Sequence, residues 1–359
     1  MARPGWPPTV RLRGPRMQRL GDYWRLFVAG LLLALGTYMA MQRPAKDENY
    51  GYTPDPAGVE EFLAELDQPL FAQAGAEAIR EARGVDTFLY RQLYKAHLER
   101  YGTPWVVGRQ GIGDCVSWGW MHGVYISQAI DWDLGRLPEP PVEPATESIY
   151  GGSRVEARGK REGTGGYSDG SYGAAAAKWC RDWGIIYREG ELEQYSSKRA
   201  KAWGNWGNGG KGDEGKLDRV AKQHPAKHVA LVRSWDEAAA AIESGYPVVV
   251  CSMQGFTSRR DDQGFCQASG RWAHCMCFIA VRYDRPGLLC LNSWGPTASG
   301  GPKWPADMPD GSFWVEKATA DRMLSAGDSF AVGSISGFEF RDLHHGGWLM
   351  PAPETISGK

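Results

Sequence analysis

Between Gln110 and Trp118 the chain reads Gln-Gly-Ile-Gly-Asp-Cys-Val-Ser-Trp, then continues as an amphipathic run to Ile130. No other stretch constrains the fold as much, because this one sets a thiol on the first turn of a helix. Gly111 and Gly113 permit a tight turn and a close approach of backbone amides. Asp114 is expected to accept a hydrogen bond from a free amide of that first turn. The positive end of the helix dipole favours thiolate over thiol at Cys115. The stretch therefore reads as a nucleophile beside an oxyanion-binding donor. A buried structural cysteine is the plain alternative.

The chain has 359 residues, 42% of them hydrophobic, which is enough for one large domain or two lobes with sizeable cores. Its net charge of −1 gives no electrostatic case for a nucleic-acid partner or an acidic membrane surface. Sixteen tryptophans and 47 glycines fit a loop-rich fold with large aromatic packing units better than a helical bundle. The cysteines number seven, so at least one stays free. Cys275 and Cys277 are too close for a zinc pair and no second pair supports them, so neither metal nor cofactor is expected. Alternating along the chain, they read as small strand residues facing one side.

Residues 1–45 form a basic N-terminus with an apolar segment: six arginines precede Arg25's neighbour Leu26, and the run Leu26–Met41 follows. That run has the length of a signal-peptide core or a short anchor, with the remainder of the chain sent outward. The expectation is an extracytoplasmic protein, secreted or membrane-anchored through residues 26–41. Residues 46–85 read as a linker, Lys46–Gly58, followed by a helical pro-like or extension region, with helices at Val59–Leu66 and Ala74–Ala82. A third helix, Asp86–Tyr101, ends at Gly102. Further helices are expected at Ser148–Arg158 and Tyr172–Trp183, with a flexible loop at Gly163–Ser171 between them. Residues 201–215, rich in Gly, Asn and charge, read as an excursion without a packed core. A capping box at Ser234–Glu237 opens an Ala-rich helix closed by Gly245. Beyond it the pattern turns to strands: Val248–Met253, His274–Tyr283, Leu288–Asn292, Gly311–Glu316 and Phe330–Phe340. The fold class is thus α+β, helices first and strands second, with a C-terminal tail from 341 to 359.

His274 opens one of those strands, and Asn292-Ser-Trp-Gly295 closes its neighbour. A hairpin brings such strand ends together, where an Asn side-chain oxygen could fix the imidazole and Trp294 could shield the bond from water. Either feature alone reads as structural. In the order Cys, His, Asn they point to thiol chemistry.

With these residues the chain resembles the papain-like cysteine peptidases, over roughly residues 86–340, in the manner of divergent bacterial or phage members. The resemblance rests on Gln110-Gly-x-Gly-Asp-Cys115, Trp272-Ala-His274 and Asn292-Ser-Trp-Gly295, with Asp169-Gly-Ser171 and the Gly-Tyr-Pro-Val-Val-Val stretch at 245–250 also similar. It implies a two-lobe fold, a helical left lobe and an antiparallel β-barrel-like right lobe, with a cleft between them. It implies Cys115 as nucleophile, His274 as its base and acid, Asn292 as orienter and Gln110 as oxyanion donor. Gly170, Ser171 and Trp294 would line the substrate, with Gly170 and Ser171 pairing with its backbone. The activity implied is peptide-bond hydrolysis through a thioester, on a protein or peptide substrate, with His274 holding Cys115 as thiolate. Gln110 stands one residue closer to the Cys than is usual, and Val116 replaces the Trp that usually follows it. His274 and Asn292 are about two residues further apart than is common, which requires a bulge. Two other readings use the same residues: a Cys-His amide hydrolase acting on cell-wall peptides, or a degenerate papain-like domain serving as a structural, virion-associated part.

Overall fold

The helix that carries the Cys, α5 (Cys115–Asp133), is buried on nearly every face rather than on one stripe. This corrects the amphipathic expectation: a helix that is apolar all round belongs in the middle of a core. Two glycines let it press against strands. A Cβ at Gly119 would lie 3.0 Å from the carbonyl oxygen of Met276, and one at Gly123 would lie 2.9 Å from a methyl of Val249. Trp118, Trp120, Met121, Val124 and Tyr125 fill the surrounding space. Burial of side chains this large contributes about 1.5–3 kcal/mol each.

The computed structural model describes residues 48–159, 169–213, 215–333 and 337–343. The apolar run 26–41 and most of the C-terminal tail lie outside these residues, as does 163–168 of the expected loop. Among the described residues no helix is long and apolar enough to cross a membrane.

Before α5 come β1 (Glu48–Asn49), α1 (Pro56–Ala64), α2 (Phe71–Ala74), α3 (Ala76–Glu81), β2 (Thr87–Phe88) and α4 (Tyr90–Tyr101). Pro56 starts α1, and the Asp55 carboxylate accepts from the Gly58 amide at 3.1 Å. Gly102, at φ +69, closes α4 in the left-handed conformation. After α5 follow α6 (Thr146–Arg154), α7 (Gly173–Asp182), α8 (Ser197–Trp206) and α9 (Asp218–Ala221). The stretch read as unpacked at 201–215 is thus partly helical, and Trp203 and Asn208 are buried. The Asn208 side chain donates to the Ser148 carbonyl at 3.1 Å, tying the segment to α6.

The second half is a sheet with two helices packed on it: β3 (His228–Leu231), α10 (Trp235–Glu243), β4 (Val248–Phe256), β5 (Ala268–Arg282), β6 (Gly287–Leu291), β7 (Ser312–Glu316), α11 (Lys317–Leu324) and β8 (Ser329–Gly333). As the capping box predicts, the Ser234 hydroxyl accepts from the Glu237 amide at the start of α10. The strand order is β3-β8-β4-β5-β6-β7, every neighbouring pair antiparallel, and the sheet does not close. The right lobe is therefore an open antiparallel sheet rather than a complete barrel. Its hub is β5, fully buried from Trp272 onward. β5 begins earlier than expected because Ala268–Arg271 still pairs with the far end of β4, so His274 sits inside a strand rather than at its start.

Candidate active site

Cys115 occupies the first position of α5, as the turn chemistry of Gly111 and Gly113 requires. Its N-terminal neighbour departs from expectation. Asp114 makes no side-chain cap; its carboxylate instead accepts from the Tyr195 hydroxyl at 2.8 Å. The same hydroxyl accepts from the Gly111 amide at 3.0 Å, so Tyr195 pins both sides of the turn. Burial pushes the Asp114 carboxyl up to about 7. The backbone of Cys275, the residue after His274, lies near enough to the Cys115 sulfur to favour its ionised form, though less than burial opposes it. The sulfur is fully buried, and burial pushes its thiol well above the usual range, with the Asp114 charge adding to the shift.

On the sheet side, His274 Nε2 lies 2.8 Å from Asn292 Oδ1. The bulge expected from their spacing is present where the β5–β6 register shifts between Phe278 and Ala280. The Asn292 oxygen also accepts from the Ser293 amide at 2.7 Å, which fixes the side chain. Trp294 stacks on the imidazole, centroids 4.7 Å apart and planes 24° from parallel. With an amide oxygen as partner, Nε2 carries the proton and Nδ1 is the basic nitrogen. Nδ1 is buried with no hydrogen-bond partner, so it is not bonded to the Cys115 sulfur in this state. Burial lowers the imidazole to about 4. Sulfur and imidazole are thus both held neutral here, whereas the sequence argues for a thiolate. The physical cause is dehydration of a fully covered site.

What covers it is the chain's own N-terminal side. Residues 48–53, read from sequence as part of a linker, lie along the site as a bound strand. β1 runs parallel to β5, Glu48 opposite Trp272 and Asn49 opposite Ala273. The Tyr50 amide donates to the Ala273 carbonyl at 3.0 Å. The Gln110 side-chain amide donates to the Tyr50 carbonyl at 3.0 Å and to the Ile112 carbonyl at 2.9 Å. Gln110 is held for this by its oxygen, which accepts from the Ser293 hydroxyl at 2.7 Å. Ser171 then takes the segment on: its amide donates to the Gly51 carbonyl at 2.9 Å, and the Thr53 amide donates to its carbonyl at 2.8 Å. Gly170 (φ +124) makes no such pair; it allows the close approach, since a Cβ there would lie 2.7 Å from the Gly51 oxygen. Gly51 (φ +115) passes so near the turn before Cys115 that a Cβ would lie 2.0 Å from the Gly113 oxygen. The ring of Tyr50 lies 4.4 Å from that of Trp294 and 5.2 Å from that of His274.

Sequence reasoning missed this segment, and also Tyr195, Asp328 beneath Tyr52, and the Cys251–Cys275 disulfide between β4 and β5. A hint for the disulfide lay in the pairing of Val248–Met253 with the His274 strand, which sets Cys251 opposite Cys275. Among the described residues no group of His, Cys, Asp and Glu side chains is placed to hold a metal ion.

No family model matches the chain, and no curated protein matches it. Solved structures do. Xylellain, a cysteine protease from Xylella fastidiosa, superposes with a TM-score of 0.54 at 17% identity, covering 82% of this chain and 99% of that one. Digestive procathepsin L 3 of Tenebrio molitor larval midgut gives 0.45 at 14% identity, over 77% of this chain and 79% of that one. Procathepsin B S9 from Trypanosoma congolense gives 0.46 at 11%, over 86% and 97%. The fold of this chain is papain-like.

Proposed function

We propose that this chain is a cysteine peptidase held in a latent form by its own residues 48–53. The observation that carries the reading is a peptide lying in the site: a carbonyl on the Gln110 amide, with flanking backbone groups paired to Ala273 and Ser171. A groove that binds main chain on both sides of a buried thiol is suited to a peptide substrate. Once the segment leaves, water returns, and Nδ1 of His274 can take the Cys115 proton. The thiolate attacks a peptide carbonyl carbon, and the carbonyl electron pair moves to oxygen. Gln110 Nε2 and the Cys115 amide hold that oxyanion. The imidazolium protonates the leaving amine, giving a thioester that water hydrolyses with His274 as base. Asn292 keeps the ring oriented throughout, and Ser171 and Trp294 border the substrate. Gln110 serves in two roles, anchoring the cover at rest and binding the oxyanion in turnover.

The basic-then-apolar N-terminus and the disulfide both support an extracytoplasmic setting. The test is labelling by an epoxide that alkylates thiolates, followed by mass spectrometry, with peptide hydrolysis assayed in parallel. Cys115→Ala is expected to abolish both. Labelling or hydrolysis that persists in this variant places the nucleophile elsewhere.

A further inference from the structure

The turn between Gln110 and Cys115 contains two glycines and has little of its own to stiffen it. At its start the Gln110 amide donates to the Ser293 carbonyl at 2.8 Å, and near its end the Asp114 amide donates to the Ile112 carbonyl at 2.9 Å. Between those bonds, Gly111 is held from outside the turn by a hydroxyl. Tyr195 accepts from the Gly111 amide at 3.0 Å and donates to the Asp114 carboxylate at 2.8 Å. Tyr195 is itself fixed. Its ring meets that of Trp118 edge-on, centroids 5.1 Å apart. The next residue, Ser196, caps α8: its hydroxyl accepts from the Arg199 amide at 3.2 Å, and its own amide donates to the buried Glu147 carboxylate at 2.8 Å. Gly111 passes so close to this segment that a Cβ would lie 2.9 Å from that of Ser197. Neither contact of the Tyr195 hydroxyl involves the covering strand, so both persist when that strand leaves.

We infer that Tyr195 is a positioning residue for hydrolysis, setting the turn so that the Gln110 side-chain amide and the Cys115 backbone amide converge on the oxyanion. The inference rests on the peptidase reading above and adds a residue to it. Oxyanion donors stabilise a transition state only when preorganised, with their N–H groups already aimed at the place where charge develops. Gln110 and Cys115 are joined through Gly111 and Gly113, so their relative placement follows the path of the backbone between them. Glycine leaves that path free to vary, and the hydroxyl of Tyr195 ties it at Gly111 and at Asp114 together. Attack on a carbonyl draws on this placement. Displacement at a saturated carbon by the same sulfur builds no oxyanion and does not.

The test uses the full-length protein at pH 6 and compares two second-order rates. One is kcat/KM for the fastest-cleaved member of a mixed fluorogenic peptide set; the other is alkylation of Cys115 by iodoacetamide, followed by mass spectrometry. The fraction of molecules with an open cleft scales both rates equally, so it cancels in their ratio. Asp114 is faced by Tyr195, Trp118, Cys115 and Glu147. Its carboxyl, pushed up to about 7 by burial, is mostly protonated at pH 6, and loss of the Tyr195 hydrogen bond moves it further up, so its charge does not disturb the comparison. Tyr195→Phe keeps the ring on Trp118 and removes the hydroxyl. The ratio of hydrolysis to alkylation is expected to fall roughly tenfold, less than outright loss of an oxyanion donor brings, and through kcat rather than KM. The double variant Tyr195→Phe/Asp114→Asn should show the same fall without leaving a buried carboxylate short of its donor, and it decides if the single variant does not fold. An unchanged ratio would overturn the assignment. So would a parallel loss of hydrolysis and alkylation, which marks a structural role alone. If the parent protein neither hydrolyses peptide nor labels at Cys115, the peptidase reading itself is overturned, and the assignment with it.

Discussion

The side-chain amide of Gln110 donates to the backbone carbonyl of Tyr50 across 3.0 Å, joining the turn that carries the thiol to the strand that covers it. Under the proposed peptidase reading, the resting contact would occupy the donor that hydrolysis needs. A cover held this way would compete with substrate for the same groups, and the strength of latency would become a matter of how well the strand fits.

The weakest point of that fit is Gly51. It has φ +115, and any Cβ would lie 2.0 Å from the Gly113 carbonyl oxygen and 2.2 Å from its carbonyl carbon, backbone that no side-chain rotation can move aside. Gly51→Ala is therefore expected to expel the strand without touching the proposed catalytic groups. The sulfur and imidazole would rehydrate, and the rate of Cys115 alkylation should rise by roughly tenfold or more, since the strain at such a position is of order 1–3 kcal/mol. Stopped-flow labelling of both proteins measures it; an unchanged rate would mean that the strand does not guard the thiol.

The covering strand shows where sequence reasoning ends. Cys115 on a helix start, the imidazole on a strand and Asn292 at the next strand's exit were all legible, because each is announced by local turn chemistry or alternation. Even the β-bulge near Ile279 could be read, from a spacing. Tyr50–Thr53 has no periodicity of its own and a Pro/Gly-bearing setting, so it reads as a linker. Its structure comes from edges supplied by Ala273 and Ser171, distant in the chain. Asp114 misled for the opposite reason. The cap geometry was open to it, but Tyr195 offered a better-placed donor, and no local pattern encodes that partner.

Asn292 should matter through the imidazole it orients. Asn292→Ala removes the oxygen 2.8 Å from His274 Nε2 and frees the ring to turn or exchange tautomers. Trp294 still stacks on it, so the ring stays in place. The expected outcome is a fall in kcat of roughly 10- to 100-fold with KM little changed, as for loss of a group acting through the base. Steady-state kinetics in the Gly51→Ala background read this directly; a change confined to KM would argue for a substrate-binding role instead.

Asp114 gives the site a pH dependence of its own. Its carboxyl is pushed up to about 7 by burial, and its charge raises the neighbouring thiol. Below about 7 it is mostly protonated and exerts little repulsion on a thiolate. As pH rises through 7 it ionises and opposes thiolate formation. Asp114→Asn should therefore alkylate at the parent rate near pH 5–6 and roughly three- to tenfold faster above pH 8, the usual scale for an adjacent like charge. Iodoacetamide labelling from pH 5 to 9, with both proteins carrying Gly51→Ala, would show the ratio climbing through neutrality; a flat ratio would refute the coupling.

Tyr195, which pins the turn before Cys115, is in turn held by a buried carboxylate. Glu147 of α6 is fully buried and meets Arg188 at 3.2 Å and Arg199 at 3.1 Å. It also accepts from the Ser196 amide at 2.8 Å, fixing the backbone beside Tyr195. Glu147→Ala leaves the almost fully buried Arg188 guanidinium with one carboxylate, Glu143, in place of two. Breaking a buried charge network by removing one partner costs about 3–5 kcal/mol, and the remaining Glu143 contact places this case at the lower end. The midpoint of urea unfolding should drop accordingly with the slope unchanged. Because Ser196 loses its anchor, Tyr195 should loosen too, and Cys115 alkylation in the Gly51→Ala background should change along with stability. Glu147→Gln keeps an acceptor for Ser196 while discarding the charge. It should therefore lose stability but retain the parent alkylation rate, which separates the positioning of Tyr195 from the energetics of the ion network.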